Sequence, residues 1–172
     1  MQSGSRKCSE LVAQRHRVLT LREEEIICHR KIDKVFSSVW VNNNLCFFGT
    51  KDSKLGMLDA NSKKIFFHQL PPSRIPFNGL SSGIRALGKN AGGDLIACTG
   101  ENSQDLVVFE AIGQRPVALL EGMQDWVFGC AWIGDRTVAG CGRDGTVRDF
   151  TALVECEDSG CYCIGSYSHA LL

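Results

Sequence analysis

Two stretches of this chain lie on one another without a gap: Asp33–Leu58, DKVFSSVWVNNNLCFFGTKDSKLGML, and Asp125–Phe150, DWVFGCAWIGDRTVAGCGRDGTVRDF. Asp33, Val35, Phe36, Trp40, Asp52 and Leu58 meet Asp125, Val127, Phe128, Trp132, Asp144 and Phe150, each pair 92 residues apart. Each copy reads D-x-V-F-x-x-x-W-[V/I]-x, then a strand, a polar turn carrying Asp, and a last strand ending in a large apolar residue. A weaker version lies between them, from Gly83 to Glu110. Its strand Leu95–Cys98 is followed by the turn Gly100–Asp105 and the strand Leu106–Phe109. The offset of 92 is therefore two periods of about 46 residues.

Repeats of roughly 40–50 residues, each built of four short strands, mark the blades of a β-propeller. The spacing predicts an all-β fold, a partial WD-repeat propeller of about three blades, near residues 31–72, 81–121 and 122–150. The turn Gly142-Arg143-Asp144-Gly145-Thr146-Val147 resembles the G-S-x-D-G-T-V turn of WD-repeat blades. There a glycine permits positive φ, and the Asp is expected to bond local backbone and neighbouring-blade groups. The closing Trp of such blades is replaced by Leu58, Phe109 and Phe150, expected to pack between blades; Asp149 is out of character in a strand.

The flanks differ from this core. Residues 1–30 are expected to form a helical or flexible segment, because Ser9–Ile27 lacks Gly and Pro and carries spaced Leu, Val and Ile behind a candidate capping serine. Leu70–Ser82 holds three of the four prolines and reads as a loop. Residues 151–172 read as a divergent tail with no blade pattern. A closed ring needs at least about four blades. Three would leave outer faces and edges exposed.

Composition narrows the function. Among 172 residues, 44% are hydrophobic and 22% charged, so the chain can build a core and is not disordered throughout. Nineteen basic residues balance nineteen acidic ones, which removes a global electrostatic case for nucleic acid or an anionic membrane. No apolar run approaches the ~18 residues of a membrane span. The polar, basic stretch after Met1 is read as carrying no leader. Nine cysteines without paired metal spacing are expected to serve mostly as small buried hydrophobes in a reducing compartment. No metal or other cofactor is expected. The tail's Cys156, Cys161 and Cys163 with His169 leave a metal or redox role as an alternative. No G-x-S-x-G, P-loop, H-E-x-x-H or useful carboxylate pair is present, so a non-enzymatic role is expected.

The segments DKVFSSVWVNNNLCFFGTK (Asp33–Lys51), GIRALGKN (Gly83–Asn90), LIACTGEN (Leu95–Asn102) and DWVFGCAWIGDRTVAGCGRDG (Asp125–Gly145) together resemble the WD-repeat cullin-4-associated factors. The resemblance runs from Lys34 to Phe150, with a looser match around Ala13–Glu25. It implies a substrate receptor of a cullin-4 RING ubiquitin ligase, located in cytoplasm and nucleus. An N-terminal segment and part of the propeller would dock on the ligase's damaged-DNA-binding adaptor. The open propeller face would capture proteins with acidic, twin-glutamate C-termini. The resemblance assigns degron contact to Lys34, Lys51 and Arg143, and more loosely to Arg85.

The residues agree in one respect. Lys51 and Arg143 are 92 positions apart and each precedes the turn Asp, so both are expected at the same rim of their blades. Bases collected there suit a terminal carboxylate and acidic side chains. Ordinary solvated turn residues are the alternative for each. A generic WD-repeat scaffold, or a shortened form without receptor function, is the alternative for the whole.

Overall fold

The computed structural model describes residues 32–73, 81–151 and 170–171. The expected N-terminal helix, residues 74–80 of the proline loop and most of the tail lie outside these residues. The described residues form strands and turns, with no helix among them.

The strands form three four-stranded antiparallel sheets. The first holds β1 (Val35–Trp40), β2 (Leu45–Thr50), β3 (Leu55–Asp59) and β4 (Lys64–His68) in chain order. The second holds β5 (Leu87–Lys89), β6 (Leu95–Thr99), β7 (Leu106–Glu110) and β8 (Arg115–Leu120), likewise in order. The third holds β9 (Val127–Ile133), β10 (Thr137–Gly142), β11 (Val147–Thr151) and β12 (Ala170–Leu171). Such consecutive four-stranded meanders are propeller blades, and the all-β fold expected from the repeat is what the chain adopts. The fourth strand of the last sheet was not legible. Ala170 and Leu171 pair with Arg148 and Val147, although the tail carries no blade pattern.

The three hairpins between second and third strands share one turn. The β2–β3 turn reverses through Ser53 at φ 59°, the β6–β7 turn through Ser103 at 64° and the β10–β11 turn through Gly145 at 74°. One backbone bond closes all three: Ser53 N–H to Thr50 O, Ser103 N–H to Gly100 O, and Gly145 N–H to Gly142 O. Only the third uses the residue for which left-handed backbone is without strain.

Alternation then sets the packing, since successive side chains of a strand face opposite sides. Phe47, Leu55 and Met57 of the first sheet meet Ile96, Cys98, Val107 and Phe109 of the second in one buried cluster. The other face of the second sheet, with Ala97, Leu106, Val108 and Leu120, meets Val127, Val138 and Phe150 of the third. The closing positions Phe109 and Phe150 are fully buried between sheets, as expected, whereas Leu58 is only half-buried. Asp149 alternates with Phe150, so it lies on the third sheet's face away from the second, where a carboxylate does not disrupt the core.

The first strands β1, β5 and β9 run side by side through the three sheets. Trp132 of β9 fixes this arrangement by donating its indole N–H to Gly88 O of β5 at 3.1 Å. Its repeat partner Trp40 has no sheet before it among the described residues and stays half exposed.

Candidate functional site

The site lies where the three first strands begin. In β1 the register passes from Val35↔Thr50 to Ser37↔Gly49, leaving Phe36 as an extra residue. In β9 it passes from Gly142↔Val127 to Cys141↔Gly129, leaving Phe128 in the same position. Such bulges re-aim a side chain that regular pairing would hold in the pleat. In the second sheet Thr99 N–H bonds Ala86 O just ahead of the Leu87↔Cys98 pair, so Arg85 holds the corresponding place.

These three equivalent residues converge. The Arg85 guanidinium carbon lies 4.4 Å from the Phe36 ring centroid and 5.7 Å from that of Phe128. Its Nε donates to Ser82 O at 3.2 Å. Trp126 meets Phe128 edge to face, with centroids 6.5 Å apart. Phe36, Arg85, Trp126 and Phe128 line an open cleft of about 450 Å³. Phe36 and Phe128 keep 36% and 45% of their surface exposed, which aromatic residues buried in a sheet core would not.

Lys51 and Arg143 occupy the equivalent places their spacing predicts. Lys51 N–H bonds Lys34 O at 2.8 Å, and Arg143 N–H bonds Trp126 O at the same distance. The side chains then differ. Arg143 stacks over Trp126 at 4.4 Å and donates Nε to Asp125 Oδ2 at 2.7 Å. The guanidinium, together with the Trp126 N–H, holds the Asp125 carboxyl below the usual carboxylate range. Lys34 and Lys51 are exposed, with no ion pair to a described carboxylate. The rim is not uniformly basic, because Glu101 follows Gly100 in the second sheet as Lys51 follows Thr50 in the first.

The four sequence candidates thus fall into two pairs. Lys34 and Lys51 are joined by a backbone bond at the first sheet. Arg85 and Arg143 each lie against an aromatic ring of the cleft. The charge pattern alone missed Phe36, Trp126, Phe128 and the Asp125 partner. Phe36 and Phe128 were visible as repeat partners, but only the bulge turns them toward Arg85.

The turn aspartates hold the rim together. Asp144 accepts from Gln124 N–H at 3.0 Å, Thr146 N–H at 3.0 Å and Thr146 Oγ1 at 2.8 Å. Burial pushes its carboxyl up, and these bonds more than reverse that. Its contacts are therefore its own turn and the connector into β9. Asp52 accepts from Thr50 Oγ1 at 2.6 Å and pairs with Lys54.

The described cysteines are free thiols. Cys46 and Cys98 are buried, Cys130 is half-buried and Cys141 is exposed. Burial pushes the Cys130 thiol up to about 12 and raises Cys98 as well, which suits packing rather than thiolate chemistry. No metal-ligating cluster occurs among the described residues.

Chemically, the cleft offers the Arg85 guanidinium, and Arg143 stacks on its lining residue Trp126; the Nε of each is already bonded. Their terminal nitrogens remain as donors to a carboxylate.

Three consecutive blades with first strands converging on a shared cleft define a WD-repeat β-propeller protein. Solved structures agree on the fold. The structure titled U3-55K matches at a TM-score of 0.59 and 19% identity, over 74% of this chain and 38% of that one. The RRP9 WD40 repeats match at 0.60 and 19%, over the same shares. The computationally designed Ika4 protein matches at 0.59 and 16%, over 81% of this chain and 82% of its own. At these identities the likeness is one of fold, and this chain spans 38% of the first two structures. The family is narrower. Residues 18–157 match the model described as the DDB1- and CUL4-associated factor 12 beta propeller, and the chain belongs to that family.

Proposed function

We propose that this chain acts as a substrate receptor of a cullin-4 RING ubiquitin ligase. It docks on the ligase's damaged-DNA-binding adaptor and presents Lys34, Lys51, Arg85 and Arg143 to proteins ending in an acidic, twin-glutamate C-terminus. Its role is scaffolding rather than catalysis, without a cofactor, nucleic acid or membrane, in cytoplasm and nucleus. Membership of the family supports ligase association. The observation that carries the acidic ligand is the cleft that holds Arg85 against an aromatic ring, with Arg143 stacked on its lining residue Trp126 and the terminal nitrogens of both unbonded to any described carboxylate. Arginine held this way meets a carboxylate in bidentate geometry.

A pull-down of the full chain with peptides ending in Glu-Glu and in Glu-Ala tests the ligand. Selective retention of the Glu-Glu peptide is expected; equal retention removes degron reading. Co-purification with the adaptor, compared between the full chain and one lacking residues 1–33, tests docking. Loss on deletion is expected.

A second reading, a generic protein-binding scaffold, draws on the Arg143–Asp125 pair and on Glu101, which dilute the positive rim. It predicts retention of both peptides, or of neither, with adaptor binding intact.

A further inference from the structure

The three residues at the beginning of the first strands are one repeat position carrying Phe, Arg and Phe in successive blades. Two of them sit at β-bulges, and all three meet in space. Phe36 and Phe128 could each have packed against solvent alone. Instead both rings lie near the guanidinium that stands between them in blade order, Phe36 the closer.

We propose that Phe36 and Phe128 form an aromatic clamp that makes Arg85 a specificity-determining residue for a planar chain-terminal carboxylate. This rests on the acidic-ligand reading above and goes beyond it, because net charge alone would not require the rings. The Arg85 face is occupied by aromatic carbon, and its Nε is held by Ser82 O. Rotation about the guanidinium axis is thereby restricted, and the edge formed by the two terminal nitrogens is the one left to a ligand. The Phe36 ring covers part of the guanidinium, which stays exposed overall, and leaves its edge for a charge-assisted bond. An ammonium has neither the flat face nor the fork, so lysine cannot replace arginine here. Arg143 repeats the device on Trp126, but its Nε partner is the carboxylate Asp125 rather than a neutral carbonyl. Arg85 therefore keeps its full charge toward the ligand, and Arg143 shares part of its own. Lys34 and Lys51, exposed and unstacked, act on the same ligand as screened charges that attract without orienting.

The test is fluorescence anisotropy of the full chain with a labelled decapeptide ending in Glu-Glu, beside the same peptide with its terminal carboxylate amidated. The probe is the peptide alone, at two salt concentrations. Wild type is expected to bind the free carboxylate more tightly than the amide. Phe36→Leu/Phe128→Leu keeps the charge and loses the stack, and roughly tenfold weaker binding is expected because the ligand must then order the freed guanidinium. Arg85→Lys is expected to lose as much and to erase the preference over the amide. Lys51→Ala is expected to weaken both peptides alike, and chiefly at low salt. Because each substituted side chain is at least partly exposed, the folded state is expected to survive, with thermal unfolding as the check. A second readout needs no ligand: the Arg85 side-chain protons should show ring-current shifts in NMR that disappear in Phe36→Leu. Wild type that does not distinguish Glu-Glu from its amide sinks the ligand reading and the clamp together. Wild type that does, with Arg85→Lys retaining full preference or the double leucine variant retaining full affinity, overturns the clamp alone, as does the absence of the ring-current shifts.

Discussion

Replacing Phe109 by alanine tests whether burial between sheets, rather than repeat position, decides what a closing residue contributes. Phe109 is fully buried between the first and second sheets. Its ring meets Phe47 edge to face, with centroids 6.1 Å apart, and lies 5.1 Å from the His68 ring. Truncation removes the ring from a site whose walls are two β-sheets and cannot collapse, so the cost is about 4 kcal/mol. Leu58 holds the same repeat position in the first sheet, but it is half-buried and has no described sheet packed on its face. Losing its branched end removes about half the usual transfer term and leaves no closed cavity, a cost of about 1 kcal/mol. Urea unfolding of the full chain, followed by Trp fluorescence, reads both. With a slope near ~2 kcal/mol/M, Phe109→Ala should lower the midpoint by about 2 M and Leu58→Ala by about 0.5 M, at unchanged slope. Phe109→Leu, which keeps most of the volume, should fall between. Equal midpoint shifts for Phe109→Ala and Leu58→Ala would refute the reasoning.

Other consequences follow from single positions. Gly83 has φ +80°, and a Cβ there would lie 2.7 Å from the Lys51 Cα and carbonyl oxygen; Gly83→Ala should cost about 2 kcal/mol and lower Tm by roughly 4–8 °C in calorimetry. Asp144→Ala removes the acceptor for Gln124 and Thr146 and should cost about 1–2 kcal/mol by the same measurement, while Asp144→Asn should lose less. Burial holds the His68 imidazole below its ordinary pKa of 6.5, so the unfolded chain binds the proton more readily than the folded one. The neutral ring's contribution is present above pH 6.5 and is lost as the pH falls through the lower folded value. Urea midpoints measured from pH 7.5 down to 5 should therefore decline, and His68→Phe should flatten its share of that decline; a His68→Phe profile parallel to wild type would exclude it.

Legibility divided along a physical line. The 92-residue offset placed Trp40 with Trp132 and Leu58 with Phe150, and the sheets reproduce those equivalences because each blade is a local meander. The turn Gly142–Val147 was recognisable because left-handed backbone selects glycine and Asp satisfies the exposed amides. The turn through Ser53 was less so, because it reaches φ 59° without glycine. The strand Ala170–Leu171 escaped notice because two residues carry no period, and their pairing depends on an edge presented by β11.

The candidate site divides in the same way. Lys51 and Arg143 were found together because register is a chain property, and the shared backbone bonds to Lys34 and Trp126 follow from it. Their unequal surroundings were not legible. Arg143 is occupied by Asp125 and Trp126, while Lys51 stands in solvent, because partner choice depends on side chains from separate strands meeting in space.

By itself, then, the sequence determined the blade period, the all-β class, the family resemblance and the equivalence of Phe36 with Phe128. All of these reside in spacing along one chain. Only the tertiary structure decided that Arg85 shares their position, that bulges turn both rings outward, and that the three meet at one cleft. A bulge changes which way one residue points without changing the residue. The convergence of three first strands is set by how sheets pack, which no local pattern encodes.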